Sequence, residues 1–81
     1  DLSLYPNPGT GYYKCEINTP VNNKVSVRIM NILGVKIMEK ILTPENGNIR
    51  TTINIKDFPD GMYVIEVNDG NQKLVKSLIK N

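Results

Sequence analysis

Apolar residues recur at every second position in short runs, and each run is cut off by Gly, Pro, Asn or Asp. This alternation is the property that most narrows the folds open to these 81 residues. Val25-Ser26-Val27-Arg28-Ile29 is the clearest case: Val25, Val27 and Ile29 line one side of an extended chain, and Ser26 and Arg28 the other. Thr51-Thr52-Ile53-Asn54-Ile55 and Tyr63-Val64-Ile65-Glu66-Val67 repeat the pattern. The runs return about every 10–12 residues, the spacing of a sandwich or barrel of strands. Strands are expected near 2–5, 12–17, 24–30, 35–43, 49–55, 62–68 and 72–80, with Ile29, Ile53, Ile55, Tyr63, Ile65 and Val67 in the core.

The breaks have physical reasons. Pro8-Gly9 can fill the two central positions of a type II turn, with proline fixing φ near −65° and glycine accepting positive φ. Asn31-Ile32-Leu33-Gly34 joins two strands in a short hairpin, with Gly34 in the left-handed position. Asn46-Gly47, Asp60-Gly61 and Asp69-Gly70 mark further reversals, and positive φ is expected at Gly34 and Gly61. Many asparagines fall in these breaks, and none sits in an Asn-x-Ser/Thr sequon.

Two segments fit a helix as well as a strand. Leu74, Val75, Leu78 and Ile79 fall at i, i+1, i+4 and i+5 between Lys73, Lys76 and Lys80, and Ile37, Met38, Ile41 and Leu42 repeat that spacing. If these are strands, both sides of each are apolar. Such a strand is either central under a second layer or presents surplus apolar surface to a partner.

Composition excludes more than it assigns. A domain this small buries only about 60–65% of the surface of its unfolded chain, and neither a disulfide nor a zinc cluster staples it, since it has one cysteine and no histidine. Cys15 alternates with Tyr13 and Ile17 and reads as a small buried hydrophobe rather than a reactive thiol. A net charge of +2, from 10 basic and 8 acidic residues, gives no basic face for nucleic acid. No apolar run approaches the roughly 20 residues that cross a bilayer. No signal peptide opens the chain, so an exported protein would carry that label on a longer precursor, of which residues 1–81 form one domain.

No catalytic residues, metal ligands or cofactor site are expected. Without histidine there is no His-based triad or dyad, and Asp57, Asp60 and Asp69 sit at turns, where capping is their expected work. Their spacing matches no EF-hand. Gly9-Thr10-Gly11 lacks the context of a phosphate-binding loop. Phe58-Pro59 reads as an apolar plug over one end of the core.

Five stretches in order resemble a known module. Leu2-Ser3-Leu4-Tyr5-Pro6-Asn7-Pro8, the hairpin Val27 to Lys36 with Leu33-Gly34, the pair Ile53-Asn54-Ile55 and Phe58-Pro59-Asp60-Gly61-Met62-Tyr63, and Leu74-Val75-Lys76-Ser77-Leu78-Ile79-Lys80 are similar to the type A C-terminal sorting domain of the type IX secretion system of Bacteroidetes. Val35 intervenes before Lys36, Met30 stands where an aromatic is common, and Ser77 replaces a frequent lysine. The resemblance implies an all-β, immunoglobulin-like antiparallel β-sandwich of about seven strands, with strands over both ambiguous segments. It also implies a non-catalytic export signal, fused behind its cargo protein. Such a signal passes through the periplasm to the cell surface or medium without inserting into the membrane. Its partners would be the outer-membrane secretion machinery and a surface sortase that removes it. The residues it singles out for structure or recognition are Pro6, Asn7, Pro8, Gly34, Gly61, Tyr63, Lys76, Leu78 and Lys80. The alternative is a small carbohydrate-binding or adhesion module, for which Tyr12 and Tyr13, pointing to opposite sides, offer only a small platform.

Overall fold

The computed structural model describes residues 2–20 and 23–81. Seven strands follow one another: β1 (Leu2–Tyr5), β2 (Tyr12–Asn18), β3 (Val25–Asn31), β4 (Lys36–Leu42), β5 (Asn48–Asn54), β6 (Gly61–Asn68) and β7 (Lys73–Lys80). Both ambiguous segments are strands, β4 and β7. Each follows a turn that sends the chain back along its predecessor, so pairing partners decided what periodicity left open.

The strands form two sheets, in the orders β1-β2-β5 and β4-β3-β6-β7, with every pair antiparallel. This is the immunoglobulin-like layout with the fourth strand moved beside the third. The core lies between the sheets. Tyr13, Cys15 and Ile17 of β2 and Ile49 and Ile53 of β5 face Val25, Val27 and Ile29 of β3 and Tyr63, Ile65 and Val67 of β6. Burying each such side chain contributes roughly 1.5–3 kcal/mol. All six residues expected in the core are buried. Phe58 packs half-buried against the cluster, as the plug reading requires.

Tight reversals join the strands. Gly34 N–H donates to Asn31 O, and the Asn31 carboxamide oxygen accepts from the amides of Leu33 and Val35. Gly34 adopts φ 83° and Gly61 φ 145°, as expected. At Asn46-Gly47 the amide and carbonyl of Glu45 pair with those of Asn48, and both central residues have positive φ (53° and 78°), a type I′ hairpin turn. Asp69 is itself a cap: one carboxylate oxygen accepts from the amides of Asn71 and Gln72 and the other from the Thr19 hydroxyl. Those bonds hold its carboxyl below the usual aspartate range.

One turn differs from expectation. Pro8-Gly9 is not a type II turn, because Gly9 does not adopt positive φ; the glycine that does in this stretch is Gly11, at 126°. Glycine is needed at position 9 for space. A Cβ there would lie 2.6 Å from the Tyr13 ring and 2.7 Å from the carbonyl oxygen of Pro6.

Candidate recognition site where the chain ends meet

The first and last motifs are in contact. The Asn7 carboxamide lies along β7 as a peptide group would: its NH2 donates to Ser77 O (3.0 Å), and its oxygen accepts from Ile79 N–H (3.0 Å). Gly9 extends the match, donating from its amide to Ile79 O and accepting from Asn81 N–H (3.0 and 2.9 Å). Ile79 O also accepts from the Tyr13 hydroxyl (2.7 Å). Asn7, Gly9 and Tyr13 thus cover the free edge of the last strand over 77–81, where unpaired backbone groups would otherwise invite another strand. Over these residues the edge of β7 is therefore already occupied.

The lysines of β7 are also committed. β7 pairs with β6 so that Leu74, Lys76, Leu78 and Lys80 lie opposite the buried Val67, Ile65 and Tyr63 and the strand start Gly61, on the inner side. Leu78 is fully buried. Lys80 is 8% exposed, and its ammonium donates to Phe58 O (2.8 Å) and to the Asp60 carboxylate (2.9 Å). Lys76 reaches across the gap between the sheets to Leu2 O on β1 (3.1 Å). On the opposite flank Lys40 of β4 crosses in the same way to Thr52 O (2.7 Å) and the Thr51 hydroxyl (3.2 Å) of β5. Both edge strands of the larger sheet therefore turn a lysine inward and tie it to the edge strand of the smaller one. An inward charge on an edge strand resists edge-to-edge pairing, because a foreign strand docked there would have to bury it.

Tyr63 has a role that the sequence did not reveal. It lies near the start of β6, just after the chain crosses from one sheet to the other, and its hydroxyl donates back to Pro59 O. This is the tyrosine corner of immunoglobulin-like sandwiches. The available signal was Gly-x-Tyr at the head of the sixth strand.

These elements converge on one end of the sandwich. Pro6, Asn7 and Pro8, the Gly34 hairpin and Gly61 occupy its loops, Tyr63 and Lys80 its strand ends, and Leu78 pairs with Tyr63 just beneath; Lys76 sits further along the β7 flank. Between the Gly34 hairpin and the 58–62 loop runs a groove of about 230 Å³ lined by Asn31, Ile32, Ile37, Phe58, Pro59 and Met62 among others. Ile32 and Leu33 stand out from the hairpin tip, 70% and 83% exposed.

Among the described residues no three His, Cys, Asp or Glu side chains are grouped to hold a metal ion. A larger cleft, about 380 Å³, lies at the far end beside Leu42, Glu45 and Arg50, with a single carboxylate in its lining. Cys15 is fully buried, and burial pushes its thiol up to about 11, so it is an inert core residue. Tyr12 and Tyr13 do point to opposite sides. Tyr5 joins Tyr12 on the outer face of the smaller sheet, but its hydroxyl is bonded to Glu16 and the Tyr12 ring lies under the Lys56 ammonium.

No curated protein matches the chain. The family model of the secretion system C-terminal sorting domain matches residues 3–81 and so spans all five motifs and both sheets. The chain belongs to the family of C-terminal sorting domains of the type IX secretion system, whose members are sorting signals rather than enzymes and mark proteins for export towards the cell surface or medium.

Proposed function

We propose that this chain is the last domain of a longer precursor, fused behind its cargo, and that the outer-membrane machinery reads it as a folded object after periplasmic transit. The observation that carries this reading is the meeting of the chain ends. The Tyr-Pro-Asn-Pro turn, the Gly34 hairpin, the Gly61–Tyr63 corner and the end of β7 form one continuous end of the sandwich. An unfolded tail would bring none of them together, so a receptor reading this end also tests whether the domain is folded. Pro6, Asn7, Pro8, Gly61, Tyr63, Leu78 and Lys80 act by building that end, Gly34 by shaping the exposed hairpin, and Lys76 by locking the β1 flank. Removal of the domain by a surface sortase would follow export and would use the sortase's chemistry alone.

The test fuses residues 1–81 to the C-terminus of a reporter bearing a signal peptide, in a bacterium with the type IX system. Export of the reporter to the surface or medium is expected. Deleting 74–81 should hold it in the periplasm, but Leu78 is in the core and that copy would also unfold. A second variant, Leu33→Asp at the exposed hairpin tip, keeps the fold and isolates recognition. Retention of the intact fusion would overturn the sorting role.

A further inference from the structure

The outer faces of the two sheets are unlike. The smaller sheet turns Ser, Tyr, Lys, Glu, Asn, Arg and Thr to solvent and no aliphatic side chain. The larger sheet shows Met30, Ile41, Met62, Val64, Val75 and Ile79, of which Ile41, Met62 and Val75 are 58%, 49% and 59% exposed. A chain of alternating charge crosses this apolar face over all four strands. Lys36 of β4 bonds Glu39 of the same strand (3.0 Å), and Glu39 pairs with Arg28 of β3 (2.8 Å). Arg28 faces Glu66 of β6 (3.9 Å), and Glu66 faces Lys73 of β7 (4.0 Å).

We propose that the outer face of the β4-β3-β6-β7 sheet is a self-association surface on which a second copy of this chain stacks through a two-fold axis parallel to the strands. The charge order selects both the partner and the axis. A two-fold along the strands lays β4 over the partner's β7 and β3 over its β6, at equal height. Arg28 then meets the partner's Glu66, and Glu39 comes within reach of the partner's Lys73. Met30 lies over the partner's Val64, and Val64 over its Met30. A two-fold across the strands, centred on β3 at Arg28, would instead lay each strand over its own copy and bring Arg28 onto Arg28, which like-charge repulsion disfavours. Two sheets stacked in this way also keep the near-aligned packing that sandwiches use internally.

The face limits the strength of the pair. Four strands about 4.8 Å apart, each some seven residues long at about 3.3 Å per residue, present on the order of 400 Å², roughly half the area per partner of a standard interface. A dissociation constant on the order of 10⁻⁴ to 10⁻³ M is expected. Because the charges already pair within each copy, they set register more than affinity. Pairing would matter only where the local concentration of the domain is high.

The test is sedimentation velocity of the 81-residue chain up to about 1 mM, with concentration-dependent amide shifts at Met30 and Val64 followed by NMR. Arg28→Glu and Glu66→Arg each place like charges face to face in a homodimer and should weaken self-association at least tenfold. Far-UV circular dichroism verifies that both variants fold. An equimolar mixture of the two restores opposite charges at both contacts and should recover dimer. A wild-type chain that stays monomeric at about 1 mM would overturn the proposal, as would a dimer insensitive to both substitutions or a mixture that remains monomeric. Loss of export in either variant without wild-type self-association would assign this face to another protein and likewise refute it.

Discussion

Gly9→Ala tests whether the covered edge of β7 depends on close approach rather than on an unusual backbone. Alanine is conformationally free to occupy position 9, since Gly9 does not adopt positive φ. Its methyl group, however, would sit 2.6 Å from the Tyr13 ring and 2.7 Å from Pro6 O. Tyr13 is 1% exposed and anchored by its hydroxyl to Ile79 O, and the other obstacle is backbone, so neither yields readily. Overpacking of this kind costs about 1–3 kcal/mol. Displacing residue 9 also strains the bonds Gly9 N–H to Ile79 O and Asn81 N–H to Gly9 O, each contributing about 0.5–1.5 kcal/mol. The expected loss is therefore about 2–4 kcal/mol, a large share of the roughly 4–12 kcal/mol that a chain of this length commands. Urea unfolding should show a lower midpoint at unchanged slope. Hydrogen exchange should show lost protection at the amides of residue 9 and Asn81, the donors of those two bonds, before it is lost in β3 and β6. A variant within about 0.5 kcal/mol of wild type, with those two amides still protected, would refute the account of Gly9.

Four further outcomes follow from the same geometry. Ile65→Ala empties a fully buried position at the centre of the larger sheet and should cost about 2–5 kcal/mol by urea unfolding. Tyr63→Phe removes only the hydroxyl that closes the tyrosine corner and should cost about 0.5–1.5 kcal/mol, with loosening of the Phe58–Gly61 loop visible by NMR. Asp69 is lowered in the folded state, so its stabilisation is fully present above the ordinary aspartate pKa of about 4 and is lost as pH falls through the lowered value. Asp69→Asn, which keeps the capping oxygen but cannot titrate, should therefore flatten the acid limb of the stability curve. Cys15, with its thiol pushed up to about 11 and no exposed surface, should resist iodoacetamide at pH 8 in the folded chain and react fully in denaturant.

The extent of what the sequence disclosed can be judged at particular residues. Val25, Val27 and Ile29, and Tyr63, Ile65 and Val67, announced their strands because period-2 alternation directly mirrors a half-buried sheet. β4 and β7 could not be settled this way. Each edge strand mixes an inner apolar set, an inward lysine and outer apolar residues, and that mixture mimics a helix face. Pro8-Gly9 was misread because a local turn rule cannot anticipate a ring from the next strand pressing on the glycine.

Local chemistry, then, was determined by sequence alone: the extended runs of β3, β5 and β6, most of the reversals, that Gly34 and Gly61 must adopt positive φ, and that no histidine or cysteine pair exists for catalysis or stapling. Tertiary structure decided everything that depends on which distant segments meet. It placed Asn7 against Ser77 and Ile79, turned Lys40, Lys76 and Lys80 inward onto backbone carbonyls, closed Tyr63 onto Pro59, and left the outer face of the larger sheet apolar beneath a ladder of alternating charge. The physical reason is range: dihedral preference and hydrophobic period act over a few residues and are written in the local sequence. Edge protection, a buried ammonium's partner and the sidedness of a sheet are set only when segments some 70 residues apart are packed together.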